Sequence, residues 1–251
     1  MTKVFASDDT IFNDQLVSFI SSFREEGDLL NDGERNVIKT LRIGDVNVNV
    51  KSFKKPNLIN KIVYKFFRKS KAQRSFEYAQ QLKEMGIGTP QPLAYIEKSS
   101  RLTFGESYYA SEHLPCDLTF RELTDTLDYP GHESLLRAFT RFSYDLHEKG
   151  INFLDHSPGN TLIQLNDGNP KFFLVDLNRM RFETMDFRTR MKNLSKLTIH
   201  ESIVRIMSNE YAKCSGEDET RIFETLWKET QDFQYRFYRK KRLKKKLKFW
   251  K

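Results

Sequence analysis

The sequence predicts an α+β protein with a β-rich N-terminal lobe, a mostly helical C-terminal lobe and a cleft between them. Up to Leu114, strand-like segments separated by turn signals dominate the chain, apart from two helical segments. After Pro115 the amphipathic run SLLRAFTRFSYDLHEKG begins a mainly helical half. The 251 residues suit one two-lobed unit, and 38% hydrophobic with 30% charged residues fits a soluble globular protein.

The N-terminal lobe is predicted to contain a helix, a small antiparallel sheet and a second helix. Apolar residues recur at helical spacing from Thr10 to Phe23, behind two aspartates that can cap the helix. VIKTLRI stands between the turn signals NDG and GD, and VNVNVKSF, which carries Lys51, then alternates as a half-buried strand should. KAQRSFEYAQQLKEM reads as the second helix, and PLAYIEK and ESYYASEHL read as two further strands.

The C-terminal lobe is predicted to begin with a helix that stops at Gly150, the residue type that commonly follows a helix end. TLIQL and KFFLVDL are joined by NDGNP and predict a hairpin, and the chain from Met191 onward reads as helices. These patterns divide the chain into an N-lobe of residues 1–112, a C-lobe of residues 113–235 and a basic tail of residues 236–251.

The tail accounts for the basic character of the protein. Residues from Arg236 to Lys251 include ten Lys or Arg and no acid, so a whole-chain net charge of +8 leaves −2 on the preceding residues. Five apolar residues within the tail and just before it fall on one side of a helical wheel: Phe233, Phe237, Leu243, Leu247 and Trp250. This pattern is typical of a helix lying on an anionic membrane surface. A solvated charge run and a nucleic-acid-binding tail are the alternatives, although no RNA-recognition module accompanies the tail.

The sequence also predicts the compartment. No run approaches the ~18 apolar residues of a membrane span, and the N-terminus lacks the apolar core of a signal peptide. Cys116 and Cys214 supply neither a disulfide framework nor metal-ligand spacing, so both are expected to be free thiols in a reducing compartment. We therefore expect a cytoplasmic protein that is peripheral on the inner face of the cytoplasmic membrane.

Five side chains occur in an order that suits phosphoryl transfer. That chemistry needs a cation near the phosphates, oxygen ligands for Mg²⁺ and a carboxylate that receives the proton of the attacking hydroxyl. Lys51 lies near the end of an alternating strand, and Glu77 on the next helix could hold its ammonium group. Asp155 and Asn160 share the loop DHSPGN, and Asp176 follows the next apolar run. Each residue alone has an ordinary structural reading, and their shared order carries the functional one.

These residues resemble the motifs of the protein-kinase-like fold, in which Asp155–Asn160 corresponds to D-x-x-x-x-N and Asp176–Asn178 to the metal-binding segment. Within that superfamily, EYAQQLKEMGIGTPQPLAYIE and FRTRMKNLSKL are most similar to the lipopolysaccharide inner-core kinases, over roughly residues 30–200. The resemblance implies an enzyme that uses ATP to phosphorylate a Kdo or heptose sugar of a lipid A-anchored glycolipid.

The resemblance also implies residue roles. Lys51 would contact the α- and β-phosphates, Glu77 would pair with Lys51, and Asp155 would be the catalytic base. Asn160 and Asp176 would bind Mg²⁺, so the implied catalytic set is Lys51, Asp155 and Asn160. Glu112 and Leu114 match the connector whose backbone pairs with adenine, and Gly33 is the one glycine available to a phosphate-covering loop.

Several departures from protein kinases argue against a protein substrate. There is no G-x-G-x-x-G, Phe153 and Leu154 stand where protein kinases have His and Arg, and no A-P-E follows. Ser157 replaces the lysine of Ser/Thr protein kinases, and His147 is expected to be structural. The alternatives are a soluble small-molecule kinase of the aminoglycoside or choline kinase type, a protein kinase, and a pseudokinase scaffold that is no enzyme.

Overall fold

The computed structural model describes residues 1–32, 36–54, 69–99, 104–166 and 168–248. The chain divides into two compact units, Met1–Pro115 with Asp176–Asn178, and Cys116–Val175 with Arg179–Lys251. The first unit is built on a β-sheet and the second is mainly helical. The predicted α+β class, with a β-rich first unit and a mainly helical second unit, is therefore confirmed.

The first unit contains a six-stranded sheet in which every pair of neighbours is antiparallel. Its order is β1-β5-β6-β4-β3-β2. The strands are β1 Thr2–Phe5, β2 Asp28–Asp32, β3 Asn36–Ile43, β4 Val46–Phe53, β5 Pro92–Ser99 and β6 Phe104–Glu112. Two described helices accompany them, α1 Thr10–Ser21 and α2 Lys71–Glu84.

Strand alternation gives this sheet two differently packed faces. Val48 and Val50 of β4 pack with the apolar face of α1, which includes Leu16 and Phe19. Phe53 points the other way, into a cluster with Ala72 and Phe76 of α2 and with Tyr95. Because successive side chains of a strand alternate, Lys51 lies on the same face as Phe53. The V-N-V-N-V pattern thus orients Lys51 as well as filling the core.

The second unit contains two small sheets and the remaining described helices. The order is β10-β9-β7 in one sheet and β11-β8 in the other. The strands are β7 Leu118–Thr119, β8 Ile151–Phe153, β9 Thr161–Asn166, β10 Asn169–Leu174 and β11 Met180–Phe182. The helices are α3 Phe120–Asp125, α4 His132–Glu148, α5 Phe187–Leu194, α6 Glu201–Ser215 and α7 Glu219–Lys248, with a 3₁₀ turn at Pro158–Asn160.

The turn that leads from α4 into β8 matches its prediction. Gly150 has a φ of +68°, and a Cβ atom there would lie 3.0 Å from the carbonyl oxygen of Glu183. The backbone of this position therefore favours glycine for two reasons, conformation and space. The helix consequently ends at Glu148, and β8 leads from this turn to the loop that contains Asp155.

The final helix contains the basic tail. Leu226 is buried in the core of the second unit, whereas every side chain of known exposure from Tyr235 onward is exposed. The tail is thus helical as far as Lys248, and Phe249 and Trp250 lie outside the described residues. None of the described helices is both long enough and apolar enough to span a bilayer.

Candidate active site

Lys51 is held by a carboxylate within the first unit. Its Nζ lies 2.7 Å from Oδ1 of Asp176, and only 13% of its side chain is exposed. The ammonium group also lies over the Phe53 ring, 5.4 Å from the centroid. A half-buried lysine needs such a partner, because desolvation makes an uncompensated charge costly. The structure therefore brings together two of the predicted site residues, Lys51 and Asp176.

Asp176 has an unusual backbone conformation. Among the described residues it is the one non-glycine residue with a positive φ, 60°. Left-handed backbone costs an L-residue roughly 1–2 kcal/mol, although Asp and Asn visit it more readily than most. Oδ1 also accepts a hydrogen bond of 2.5 Å from Nδ2 of Asn178. Strain of this kind is concentrated at functional sites, and here it aims a carboxylate at Lys51.

Glu77 has a different partner from the one that the resemblance implies. Its carboxylate accepts from Nζ of Lys69 at 2.8 and 3.0 Å and from Nε2 of Gln73 at 3.0 Å. Lys69 immediately precedes the N-cap residue of α2, which puts it within reach of a residue two turns along the helix. The structure thus pairs Lys51 with Asp176 and Glu77 with Lys69.

The connector has a backbone amide that is free to take a ligand. The amide N–H groups of Glu112 and His113 donate to Gln91 and Asn47. By contrast, the amide of Leu114 has no hydrogen-bond partner within the part of the chain that the structure describes. Gly33 lies outside the described residues.

In the second unit, Arg179 holds Asp155 in two ways. Its Nη1 donates to Oδ1 of Asp155 at 3.0 Å, and its carbonyl oxygen accepts from the amide of Leu154 at 3.0 Å. This second bond extends the β8–β11 ladder beyond the pair Phe153–Met180. Oδ2 of Asp155 has no hydrogen-bond partner among the described residues. One oxygen of the carboxylate is thus fixed, and the other is available to a hydroxyl.

Asn160 closes the same loop. Its Nδ2 donates to the backbone carbonyl of Asp155 at 2.8 Å, which leaves Oδ1 without a partner among the described residues. Its own carbonyl accepts from the amide of Val175, the residue that precedes Asp176. Carboxylate and amide oxygens are the ligands that Mg²⁺ prefers, and Asn160 in the second unit and Asp176 in the first each have an oxygen of that kind without a partner among the described residues. The described residues contain no cluster of three or more His, Cys, Asp or Glu side chains that could hold a metal.

Gly159 in this loop is in close contact with an arginine side chain. A Cβ atom there would lie 2.9 Å from Nη2 of Arg121, so the guanidinium group rests directly on the loop backbone. A side chain at this position would displace the arginine or the loop. The absence of a side chain at Gly159 thus lets Arg121 lie against the loop.

A buried polar network supports the loop from below. Oδ1 of Asn193 lies 2.7 Å from Nδ1 of His156 and 3.2 Å from Nε2 of His147, and its Nδ2 donates to the Phe153 carbonyl at 2.8 Å. Because the amide oxygen can only accept, both histidine nitrogens carry a proton in these bonds. Nδ1 of His147 then accepts from the Tyr211 hydroxyl at 2.9 Å. His147 is therefore structural, as the sequence predicts.

Two residues near this loop were not predicted from the sequence, Asn193 and Arg179, and only Asn193 has a pattern that could have revealed it. Asn193 lies in α5 between the fully buried Met191 and Leu194, so it is a polar residue on the apolar face of a helix. Buried polar side chains are nearly always hydrogen-bonded, so such a position indicates a partner elsewhere in the chain. Arg179 offers no comparable signal, because an exposed arginine after a turn is common.

The network predicts a pH dependence of stability. Burial lowers the pKa of His147 to about 3 and that of His156 to about 4. In the unfolded chain both titrate near the ordinary value of about 6.5. Between about pH 6.5 and pH 4 the unfolded chain therefore binds protons that the folded protein does not. We expect the free energy of unfolding to be unaffected above this window and to fall on acidification through it, by up to about 1.4 kcal/mol per pH unit per histidine.

Urea unfolding at pH 7.5, 6.0 and 5.0 measures this slope. His156→Phe keeps an aromatic ring beside Phe139 and Phe153 but removes one titrating group. It should reduce the slope between pH 6.5 and 4 by up to about 1.4 kcal/mol per pH unit. A variant with an unchanged slope would contradict the assignment.

Comparison with known proteins identifies the family. The sequence matches the model of the lipopolysaccharide kinase (Kdo/WaaP) family over residues 24–214. The chain belongs to this family. It is therefore a kinase, an enzyme of lipopolysaccharide biosynthesis that uses ATP. The matched range includes every predicted site residue and ends before α7, so the basic tail lies outside it.

A solved structure is similar to this fold. It is described as WaaP in complex with acyl carrier protein, and it matches with a TM-score of 0.62 and 16% sequence identity. The match covers 92% of this chain and 99% of that chain. At this identity the likeness supports the kinase-like fold. Comparison of the sequence with curated proteins finds no match.

Proposed function

We propose that the protein transfers the γ-phosphoryl group of ATP to a hydroxyl of a Kdo or heptose sugar in the lipopolysaccharide inner core, at the cytoplasmic membrane face. The observation that carries this proposal is the 2.7 Å ion pair of Lys51 with Asp176, a carboxylate on left-handed backbone. A structural ion pair alone would not require a strained aspartate.

The phosphate-binding roles follow from these groups. Lys51 contacts the α- and β-phosphates, and Asp176 and Asn160 hold Mg²⁺ through their free oxygens. When bound, the ion neutralises charge on the phosphate oxygens and orients them. Glu112 and Leu114 pair with adenine through the backbone, for which the unpaired Leu114 amide is available. Glu77 and Gly33 remain candidates for nucleotide contacts.

Asp155 acts on the acceptor. Its free Oδ2 accepts the hydrogen bond of the attacking hydroxyl and then its proton as the sugar oxygen bonds to the γ-phosphorus. The bond between the γ-phosphorus and the β–γ bridging oxygen breaks, and ADP leaves. Arg179 keeps the carboxylate oriented throughout, because it fixes Oδ1 at 3.0 Å.

The test is incubation with γ-labelled ATP and a panel of Kdo- and heptose-bearing lipid A acceptors, soluble sugars and amino alcohols, and casein. We expect label on a Kdo- or heptose-bearing glycolipid and none on casein, because the departures at Ser157 and the missing A-P-E argue against protein substrates. Label on soluble sugars alone would favour a small-molecule kinase. Label on casein alone would favour a protein kinase, and absence of Mg·ATP binding would favour a pseudokinase.

The tail supports action at a membrane. Four large apolar side chains of α7 are exposed, Tyr235, Phe237, Tyr238 and Leu243, among basic residues. Each Lys or Arg near an anionic surface gains on the order of 1 kcal/mol, and exposed apolar groups add insertion. We therefore propose that Arg236–Lys251 binds the anionic inner face of the cytoplasmic membrane. Nucleic acid is not proposed as a partner.

Deleting residues 236–251 should release the protein from anionic vesicles, and raising salt should weaken binding of the full chain, because screening acts within about 10 Å at 0.1 M salt. Co-sedimentation with anionic and neutral vesicles at two salt concentrations measures both effects. ATP binding serves as the control, since no proposed nucleotide contact lies beyond Asp176. Equal vesicle binding of both proteins would leave the solvated-tail interpretation in place.

A further inference from the structure

Lys196 is a cation near the catalytic loop, and no carboxylate of the described residues forms an ion pair with it. It follows α5 by two residues, and its half-buried Nζ donates to the backbone carbonyl of Leu154 at 2.8 Å. A neutral carbonyl compensates a desolvated ammonium group only partly, so this arrangement is costly without an anion.

Arg179 provides a second cation at the same place. Its Nη1 donates to Asp155, whereas Nε and Nη2 have no partner within the described part of the chain. A guanidinium group carries five N–H donors in a fixed plane, so it can hold one carboxylate and still present donors to a second anion. Just over half of this side chain, 56%, is exposed, and a ligand can reach it.

The charges of Lys196, Arg179 and Asp155 act on one another. Burial lowers the pKa of Lys196, the carboxylate of Asp155 raises it and the guanidinium group of Arg179 lowers it. Two cations and one anion give the group a net charge of +1 beside the hydroxyl-accepting oxygen. One further anion would neutralise the group, and the acceptor is the molecule that must approach Asp155.

We propose that Arg179 and Lys196 form an oxyanion-binding subsite beside Asp155 that holds a carboxylate of the acceptor sugar. The inference rests on the proposed function, because it takes Asp155 as the base. Holding a charged group next to the attacked hydroxyl fixes that hydroxyl against Oδ2 of Asp155. The subsite favours a sugar acid such as Kdo over a neutral heptose, because a neutral sugar would leave both cations without an anion to bind.

The experiment combines enzyme variants with acceptor variants. Wild type, Lys196→Met and Lys196→Arg are each tested with Kdo–lipid A and with the same acceptor after conversion of its Kdo carboxylate to a carboxamide. We expect wild type to lose at least about tenfold in kcat/KM on the carboxamide. Lys196→Met should raise KM about tenfold or more on the acid and change little on the carboxamide. Lys196→Arg should retain most of the preference for the acid.

Arg179→Met tests the second cation and should lower kcat as well as raise KM, because Arg179 also positions Asp155. Arg221→Met is the matched control, since Arg221 is 57% exposed and pairs with one carboxylate, that of Glu217. Arg221→Met should leave kcat/KM unchanged on both acceptors. Thermal melts of each variant separate loss of folding from loss of recognition.

Three results would overturn the subsite. The first is that wild type has the same kcat/KM on the two acceptors. The second is that Lys196→Met lowers kcat/KM by the same factor on both acceptors. The third is that Lys196→Met lowers the rate of ATP hydrolysis without acceptor by as much as it lowers transfer to the acid. The last result would place the cation on the γ-phosphate instead of the acceptor. If wild type labels neither glycolipid, the proposed function itself fails, which is a distinguishable outcome.

Discussion

Replacing Asp155 with asparagine is expected to lower kcat by roughly 10²–10⁴-fold, the range that general acid–base catalysis contributes. In the wild-type protein, Nη1 of Arg179 lies 3.0 Å from Oδ1 of Asp155. Asparagine has the same size as aspartate and keeps an oxygen that can accept this hydrogen bond. The substitution removes the group that receives the proton. ATP binding should persist, because the ion pair of Lys51 with Asp176 belongs to the first unit and is not touched.

Single-turnover transfer to the glycolipid and fluorescence titration with ATP measure the two effects separately. Asp145→Asn is the matched control, because Asp145 is an aspartate of the second unit whose side chain is 48% exposed and has one lysine partner at 2.9 Å. It should retain wild-type kcat. Asp155→Asn with near wild-type transfer would show that the loop is not the catalytic one.

Removing the Asp176 carboxylate is expected to have an equally large effect. A bound metal ion supplies several kcal/mol of charge stabilisation, which corresponds to about 10³-fold or more in rate. Asp176→Asn keeps a side chain that tolerates left-handed backbone, so it tests the charge alone. It should abolish the tightening of ATP binding by Mg²⁺ and reduce turnover by about that factor.

Asp176→Gly separates chemistry from backbone strain. Glycine adopts the φ of +60° found at Asp176 without strain. The strain that is relieved approximately offsets the greater entropy that glycine loses on folding, about 0.5–1 kcal/mol. Both variants leave Lys51 without its carboxylate, so both should melt at a lower temperature than wild type, and Asp176→Gly should melt close to Asp176→Asn while activity is lost in each. ATP titrations with Mg²⁺ and with EDTA, together with thermal melts, check both statements. Mg²⁺-dependent ATP binding that survives in both variants would remove Asp176 from the metal site.

Much of the first unit could be predicted because its signal is local. The alternating run in β4 predicts both a strand and the face on which Lys51 lies, and the structure has that strand at Val46–Phe53. The partner of Lys51 could not be predicted in the same way. Any carboxylate within reach can satisfy an ammonium group, and the choice between Glu77 and Asp176 depends on the folded backbone. Lys69 already engages Glu77.

Other features could not be predicted, either because the element is very short or because the contact joins residues that are distant in sequence. β7, β8 and β11 have two or three residues each, too few for alternation to be visible. Arg179 and Lys196 are ordinary surface residues in the sequence, and only the fold brings them to Leu154 and Asp155. Local patterns reveal elements, whereas contacts between elements set the chemistry of a site.

The first strand has a consequence for the order in which the chain folds. β1 is an edge strand of the described sheet and pairs with β5, with Thr2 opposite Glu97 and Phe5 opposite Ala94. Closing a loop of about 90 residues carries an entropic cost that local hairpins avoid. Synthesis adds a delay, because the ribosome makes β1 about 90 residues before its partner. We therefore expect β1 to join the sheet late, since Val4 and Phe5 can pair only after β5 has been synthesised.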